Sequence, residues 1–169
     1  IAIVGVPVIA GNILLNCAAV IQKGDLLALI PKTFLPNYSE FYEKRWFASS
    51  QDLNPIDILY AGSSIHITNQ PTIFRTYTGA TFGIELCEDV WAPEPPSTRL
   101  CLSGADIIFN LSASDELIGK HNYLCSLLSQ QSARTMSGYV YSSSGFGEST
   151  QDLVYGGNET TATLVTGTT

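Results

Sequence analysis

Gly83-Ile84-Glu85-Leu86-Cys87-Glu88-Asp89-Val90-Trp91 is the segment around which the rest of the chain is arranged. The apolar run that leads into it, Ala80-Thr81-Phe82-Gly83-Ile84, has the pattern of a buried strand. A thiol follows at Cys87, among three carboxylates, Glu85, Glu88 and Asp89. Pro93, Pro95 and Pro96 then prevent further strand pairing, because proline has no N–H to donate. A cysteine between a strand end and a turn is well placed to be a nucleophile, since loops at strand ends carry chemistry on a rigid base. The alternative is a packed thiol beside solvated acids, because free cysteine is among the most buried residue types. This segment alone leaves both readings open.

The residues before it are rich in hairpins. Strands are expected over Ile1 to Ile9, Ile13 to Ile21 and Leu26 to Ile30, with Gly11-Asn12 and Lys23-Gly24-Asp25 as turns. Lys32 follows the apolar run Leu26-Leu27-Ala28-Leu29-Ile30. Lysines are mostly surface residues, but this one ends a strand and precedes Phe34 and Leu35, which makes it a candidate for partial desolvation. Glu40 to Phe47 is expected to be a short helix or an aromatic arm, and Gln51 to Ile56 a loop. Short strands are expected at Asp57 to Tyr60, Ile65 to Ile67 and Thr72 to Tyr77. His66 reads as a strand residue and His121 as a helix-surface residue, neither with an obvious partner.

Beyond the prolines, the pattern predicts a short helix from Ser97 to Gly104 and a buried strand from Asp106 to Leu111. An amphipathic helix is expected from His121 to Ser137, with Leu124, Leu127, Leu128 and Gln131 on one face and Gly138 as its stop. Strands are expected at Tyr139 to Ser143 and from Thr161 to Thr166. Helices alternate with strands only in this half. The pattern is that of an α/β layered fold, a mixed sheet covered by helices.

The 169 residues are enough for one domain with a core, and 45% apolar against 14% charged residues describes a globular chain. Fifteen acids and eight bases give a net charge of -7, which argues against nucleic acid or an anionic membrane surface as partner. No apolar run reaches the roughly 20 residues that span a bilayer. Cys17, Cys87, Cys101 and Cys125 form no CxxC pair, which suits free thiols in a reducing, cytoplasmic setting. There is no GxGxxG or GxxxxGK[ST] loop, no histidine pair at metal-ligand spacing and no GxSxG elbow. Cys87 remains the one plausible nucleophile at a strand end. Its thiolate needs a nearby cation or base, which Lys32 can supply. A lysine working with a cysteine suggests acyl transfer with a stabilised oxyanion, for which the Glu88 N–H would be a second donor.

Six segments together carry a resemblance. They are Pro31-Lys32-Thr33-Phe34-Leu35-Pro36-Asn37-Tyr38, Phe41-Tyr42-Glu43-Lys44-Arg45, Leu86-Cys87-Glu88-Asp89-Val90-Trp91, Asn110-Leu111-Ser112-Ala113-Ser114, Ser129-Gln130-Gln131-Ser132-Ala133-Arg134 and Gly145-Phe146-Gly147-Glu148-Ser149-Thr150. Their combination resembles the glutaminase domain of glutamine-dependent NAD synthetases, a branch of the nitrilase, or carbon–nitrogen hydrolase, superfamily. The resemblance runs over the whole chain and implies a single partial carbon–nitrogen hydrolase domain over residues 1–169, an αββα sandwich cut at both ends. It implies a Glu, Lys and Cys catalytic set, with Lys32 and Cys87 matching two members. It places Tyr38, Glu88 and Ser114 in a glutamine pocket, Lys120 near the substrate, and Glu43 as a support for Lys32. The implied reaction is glutamine hydrolysis through a thioester.

The released ammonia would serve a synthetase domain that uses ATP and Mg to amidate nicotinic acid adenine dinucleotide. No SGGxDS-type motif of such a domain is present, so no cofactor and no metal are expected in these residues. The general-base glutamate is expected to precede Ile1, which makes glutamine turnover by this chain alone very weak. Glutamine, the synthetase domain of the same polypeptide and further copies of the chain are the expected partners, with neither nucleic acid nor membrane among them. The rival readings are a stand-alone amidase of the same superfamily and a catalytically dead scaffold that assembles through Phe41 to Phe47.

Overall fold

The computed structural model describes residues 1–145, 147–148 and 153–162. Phe146, Ser149 and Thr150 of the glycine-rich segment, and residues 163–166 of the expected last strand, lie outside the described residues. The chain divides into two compact units, Ile1–Gln70 and Pro71–Thr169.

The first unit is built from hairpins. β1 (Ala2–Ala10), β2 (Ile13–Gln22) and β3 (Asp25–Pro31) form an antiparallel sheet in that order. Gln22 pairs with Asp25 across Lys23-Gly24, whose φ values of 53° and 93° are those a two-residue hairpin turn of primed type requires. β4 (Ile56–Tyr60) and β5 (Ser63–Ile67) repeat the device, with Ala61 and Gly62 at φ 49° and 81°. Ile65 and Ile67 of this hairpin bury against Val8, Leu15, Cys17, Ala19 and Leu29 of the sheet. The expected arm at Glu40 to Phe47 contains one short 3-10 turn, Glu43–Arg45, and a second, Ser50–Asp52, lies where a loop was expected.

The second unit is a five-stranded mixed sheet in the order β10-β9-β8-β7-β6. β7 (Thr81–Leu86), β8 (Ile107–Ser112) and β9 (Gly138–Ser143) run parallel, while β6 (Phe74–Arg75) and β10 (Glu159–Ala162) flank them antiparallel. β6 keeps only two residues of the strand expected from Thr72 to Tyr77. α1 (Pro96–Leu102) crosses from β7 to β8, and α2 (Lys120–Thr135) from β8 to β9. Pro96 opens α1, where a missing N–H costs nothing. Successive right-handed crossovers in one direction put both helices on the same face. Leu100, Leu124 and Leu128 therefore share a core with Ile108, Tyr139 and Tyr141. A Cβ on Gly83 would lie 2.9 Å from Leu100 Cδ1, so only glycine lets α1 sit this close to β7. Leu124, Leu128, Gln131 and Ser132 are the buried face of α2. The helix ends at Thr135, capped by Met136 in the left-handed conformation (φ 54°) two residues before Gly138, which instead begins β9.

Candidate active site

Cys87 is the first residue after β7 and opens a 3-10 turn, Cys87–Trp91. Its φ is 46°, a left-handed conformation that costs a residue with a Cβ about 1–2 kcal/mol. Such strain persists only where the surroundings enforce it. Here they do so through the backbone. The Leu86 N–H donates to Asp89 Oδ2 at 2.9 Å, and the Cys87 N–H donates to Asn110 Oδ1 at 3.1 Å. Asn110, opposite Glu85 on the adjacent parallel strand β8, is 1% exposed. Its amide N–H groups donate to the Cys87 carbonyl at 3.5 Å and to the Tyr139 hydroxyl at 3.1 Å. The thiol thus stands on a sharp strand-to-helix turn whose backbone is held on both its N–H and C=O sides. No GxSxG pattern announces this turn.

The expectation of solvated acids around Cys87 is corrected. Glu85 and Asp89 are both buried, and only Glu88 is half-buried. Glu85 accepts from the Ser97 N–H at 2.7 Å and from the Tyr139 hydroxyl. Burial pushes its carboxyl above the ordinary value, against the hydrogen bonds from Tyr139 and Ser97, which pull it down. Burial, and then the Glu85 charge, push the Tyr139 hydroxyl well above its usual range. Gln131 Nε2 donates to Ser97 Oγ at 2.9 Å, tying α2 to the same network.

The ends of β8 and β9 complete a polar surround. The Ser114 N–H donates to Ser143 Oγ at 3.2 Å, and the Ser144 N–H to the Ser112 carbonyl at 3.0 Å. Ser114 is buried. Among the described residues the buried Tyr141 hydroxyl has no hydrogen-bond partner; Ser112, Ser114 and Ser143 stand around it without meeting it at bonding geometry. Burial first, and then the proximity of Cys87, make Tyr141 harder to ionise. The same two causes, joined by Glu148 and Asp115, act on Tyr155. Asp115 is buried, its Oδ1 accepting from Lys120 and its Oδ2 without a partner among the described residues. Lys120 Nζ also lies 5.7 Å from the centre of the Trp91 ring, which stacks on Tyr123 at 5.5 Å.

In the first unit, the surface-lysine alternative for Lys32 is ruled out: it is 1% exposed. Nζ donates to both carboxylate oxygens of Glu43, at 2.9 and 2.8 Å. A buried ammonium must be paired, and a bidentate carboxylate does this. The backbone around Lys32 is also tied down, its N–H to Asn16 O at 2.8 Å and its carbonyl to the Ser50 N–H at 3.1 Å. Tyr38 is exposed and meets Phe41 edge-on at 6.0 Å. The histidines are not partnerless: His66 Nδ1 lies 2.7 Å from Asp57 Oδ1, and His121 contacts Asn158 and Cys125. Among the described residues no three His, Cys, Asp or Glu side chains group to hold a metal, and no helix is long and apolar enough to cross a membrane.

Sequence reasoning missed Asn110, Glu85 and Tyr139 as parts of the thiol's support. A signal existed: Asn110 and Glu85 are polar residues inside otherwise apolar strands, where a side chain must find a buried partner.

No family model matches the chain. It is 36% identical over 156 residues to the glutamine-dependent NAD(+) synthetase of Mycobacterium tuberculosis, an alignment that covers 92% of this chain and 23% of the relative. The crystal structure of a glutamine-dependent NAD(+) synthetase from Cytophaga hutchinsonii superposes with a TM-score of 0.80 at 25% identity, covering 95% of this chain and 25% of the other. An amidase of the nitrilase superfamily from Nesterenkonia AN1 superposes at 0.69 with 17% identity, over 93% of this chain and 51% of the amidase. The chain therefore spans about a quarter of the length of the curated relatives it matches. Its fold is of the nitrilase-superfamily kind, and its residues match a glutaminase-domain segment of these synthetases.

Proposed function

We propose that this chain, a relative of the glutamine-dependent NAD(+) synthetases with a nitrilase-superfamily fold, carries glutamine amide hydrolysis at Cys87. The observation that supports this most is the thiol displayed on a strained turn at the carboxyl end of β7, its backbone held by Asn110. That is how a nucleophile is set on a rigid sheet.

In the proposed reaction, Cys87 Sγ attacks the side-chain carboxamide carbon of glutamine. A C–S bond forms and the carbonyl electron pair moves onto oxygen. Lys32, with the Glu88 N–H, is assigned to stabilising that oxyanion. Collapse breaks the C–N bond, and ammonia leaves carrying the thiol proton. Water then cleaves the thioester, releasing glutamate and restoring the thiol. Tyr38, Glu88 and Ser114 are assigned to lining the glutamine pocket, Lys120 to a place near the substrate, and Glu43 to holding Lys32. In a longer polypeptide the ammonia would serve ATP-dependent NAD synthesis. These residues supply Lys32 and Cys87 of the implied Glu, Lys and Cys set, so turnover by the 169-residue chain is expected to be very weak.

A glutamine-mimicking diazo-ketone tests the reading. Peptide mapping is expected to find the adduct on Cys87, with glutamine slowing its formation and Lys32→Met reducing its rate. Labelling spread over all four thiols, or no protection by glutamine, would favour the dead scaffold. Protection by other amides and not by glutamine would favour an amidase of different specificity.

A further inference from the structure

Cys125 lies on α2, one helical turn after His121, and the two face each other with Sγ 3.6 Å from His121 Nε2. His121 Nδ1 lies 2.9 Å from Asn158 Oδ1, and Asn158 Nδ2 donates to Glu116 Oε2 at 3.1 Å. The direction of this chain can be read from its end. An ionised carboxylate only accepts, so the Asn158 amide must turn its NH2 toward Glu116 and its oxygen toward His121. That oxygen also only accepts, so Nδ1 of a neutral His121 carries the proton. Nε2 is then left with a lone pair aimed at the Cys125 thiol. Glu116 is itself fixed, its N–H donating to the Val154 carbonyl at 2.7 Å. The absence of a side chain at Gly156 leaves room for its carboxylate, because a Cβ there would collide with Oε2.

We infer that Cys125, His121 and Asn158 form a second reactive-thiol site, separate from Cys87, that takes small disulfides and is a place of reversible thiol modification. His121 supplies the base that the thiol needs, and Asn158 holds the imidazole in the competent tautomer. In the reaction the Cys125 proton passes to His121 Nε2 and Sγ attacks one sulfur of the disulfide. A new S–S bond forms as the old one breaks. The departing thiolate takes the proton back from His121, so the incoming disulfide is the oxidant and the product is a mixed disulfide plus one thiol. The site is open to such a reagent: His121 is exposed and Cys125 is half-buried. This inference stands apart from the glutaminase reading, since none of its residues is assigned a part in that reaction.

Cys101 and Cys17 provide internal standards in the same molecule. Cys101 is half-buried like Cys125, and among the described residues no histidine is hydrogen-bonded to its thiol. Cys17 is fully buried, and burial pushes its thiol up to about 12. The 169-residue chain is treated with oxidised glutathione, and mixed-disulfide formation at each cysteine is followed by peptide mapping. Cys125 is expected to react about tenfold faster than Cys101, a modest share of what a positioned base can give. His121→Phe is expected to bring Cys125 down to the rate of Cys101, with Asn158→Ala in between and Cys17 unmodified throughout. Equal rates at Cys125 and Cys101 in the unaltered chain would overturn the proposal. So would an unchanged rate in His121→Phe with Cys17 still protected. If a variant exposes Cys17 by unfolding, the ratio in the unaltered chain decides alone.

Discussion

Lys32 in the first unit and Cys87 in the second are immobilised by different means. Lys32 is held by its own charge: a buried ammonium on a bidentate carboxylate, at the end of an antiparallel hairpin sheet. Cys87 is held by its backbone: a left-handed turn that a neighbouring parallel strand pins through Asn110. The difference follows from the two groups. A charge needs a counter-charge wherever it is buried. A neutral thiol offers little to bind, so its position has to come from the chain that bears it. Losing the support should therefore show as lost stability in the first unit and as lost reactivity, with less lost stability, in the second.

The largest effect is expected from Glu43→Ala, which strands the Lys32 ammonium and should cost about 3–5 kcal/mol in urea unfolding. Adding Lys32→Met should recover most of that loss, because no unpaired charge is then left. A cost below about 1 kcal/mol for Glu43→Ala would mean that the pair behaves like a surface ion pair, and the contrast would fail on the first side. Asn110→Ala comes next. It leaves the Cys87 N–H without its acceptor, a loss of about 1–3 kcal/mol. Alkylation of Cys87 should slow in parallel. Unchanged alkylation would show that the turn is held without Asn110.

A smaller difference should separate two replacements of the nucleophile. Cys87→Gly is expected to be more stable than Cys87→Ala by about 1 kcal/mol, because glycine adopts a positive φ without the Cβ penalty. Both lose the thiol. Equal stability would mean that the turn stores no strain.

The smallest effect concerns Glu85. Burial raises its folded pKa above the unfolded value of about 4.3. Between the two values the folded chain keeps a proton that the unfolded chain has released. Its stabilising contribution is therefore complete below about pH 4.3 and is lost as pH rises through the folded pKa. Thermal midpoints should carry that downward component in the unaltered chain, and Glu85→Gln should remove it. A Glu85→Gln variant with the same pH profile as the unaltered chain would show that Glu85 titrates normally.

Much of the architecture was legible because its signals are local. Lys23-Gly24 between two apolar runs specifies a hairpin through the φ values it permits. The period of Leu124, Leu128 and Gln131 specifies a helix and its inward face. The position of Cys87 at the end of an apolar run also placed it correctly at a strand terminus. The likeness in sequence to glutamine-dependent NAD(+) synthetases reached the family by a different route, through combinations of short segments.

The supports of the thiol were not legible, since each joins residues distant in sequence. Asn110 and Cys87 are 23 positions apart, Tyr139 and Glu85 54, and His121 and Asn158 37. The His121–Cys125 half of the last group follows from helical spacing, but nothing in the sequence brings Asn158 to it. Local patterning determined where strands, turns and helices lie and which residue could be the nucleophile. Burial, and with it the 1% exposure of the Lys32 ammonium and the buried state of Glu85, was decided only by the tertiary structure, because the cost of removing a charge from water depends on what folds over it.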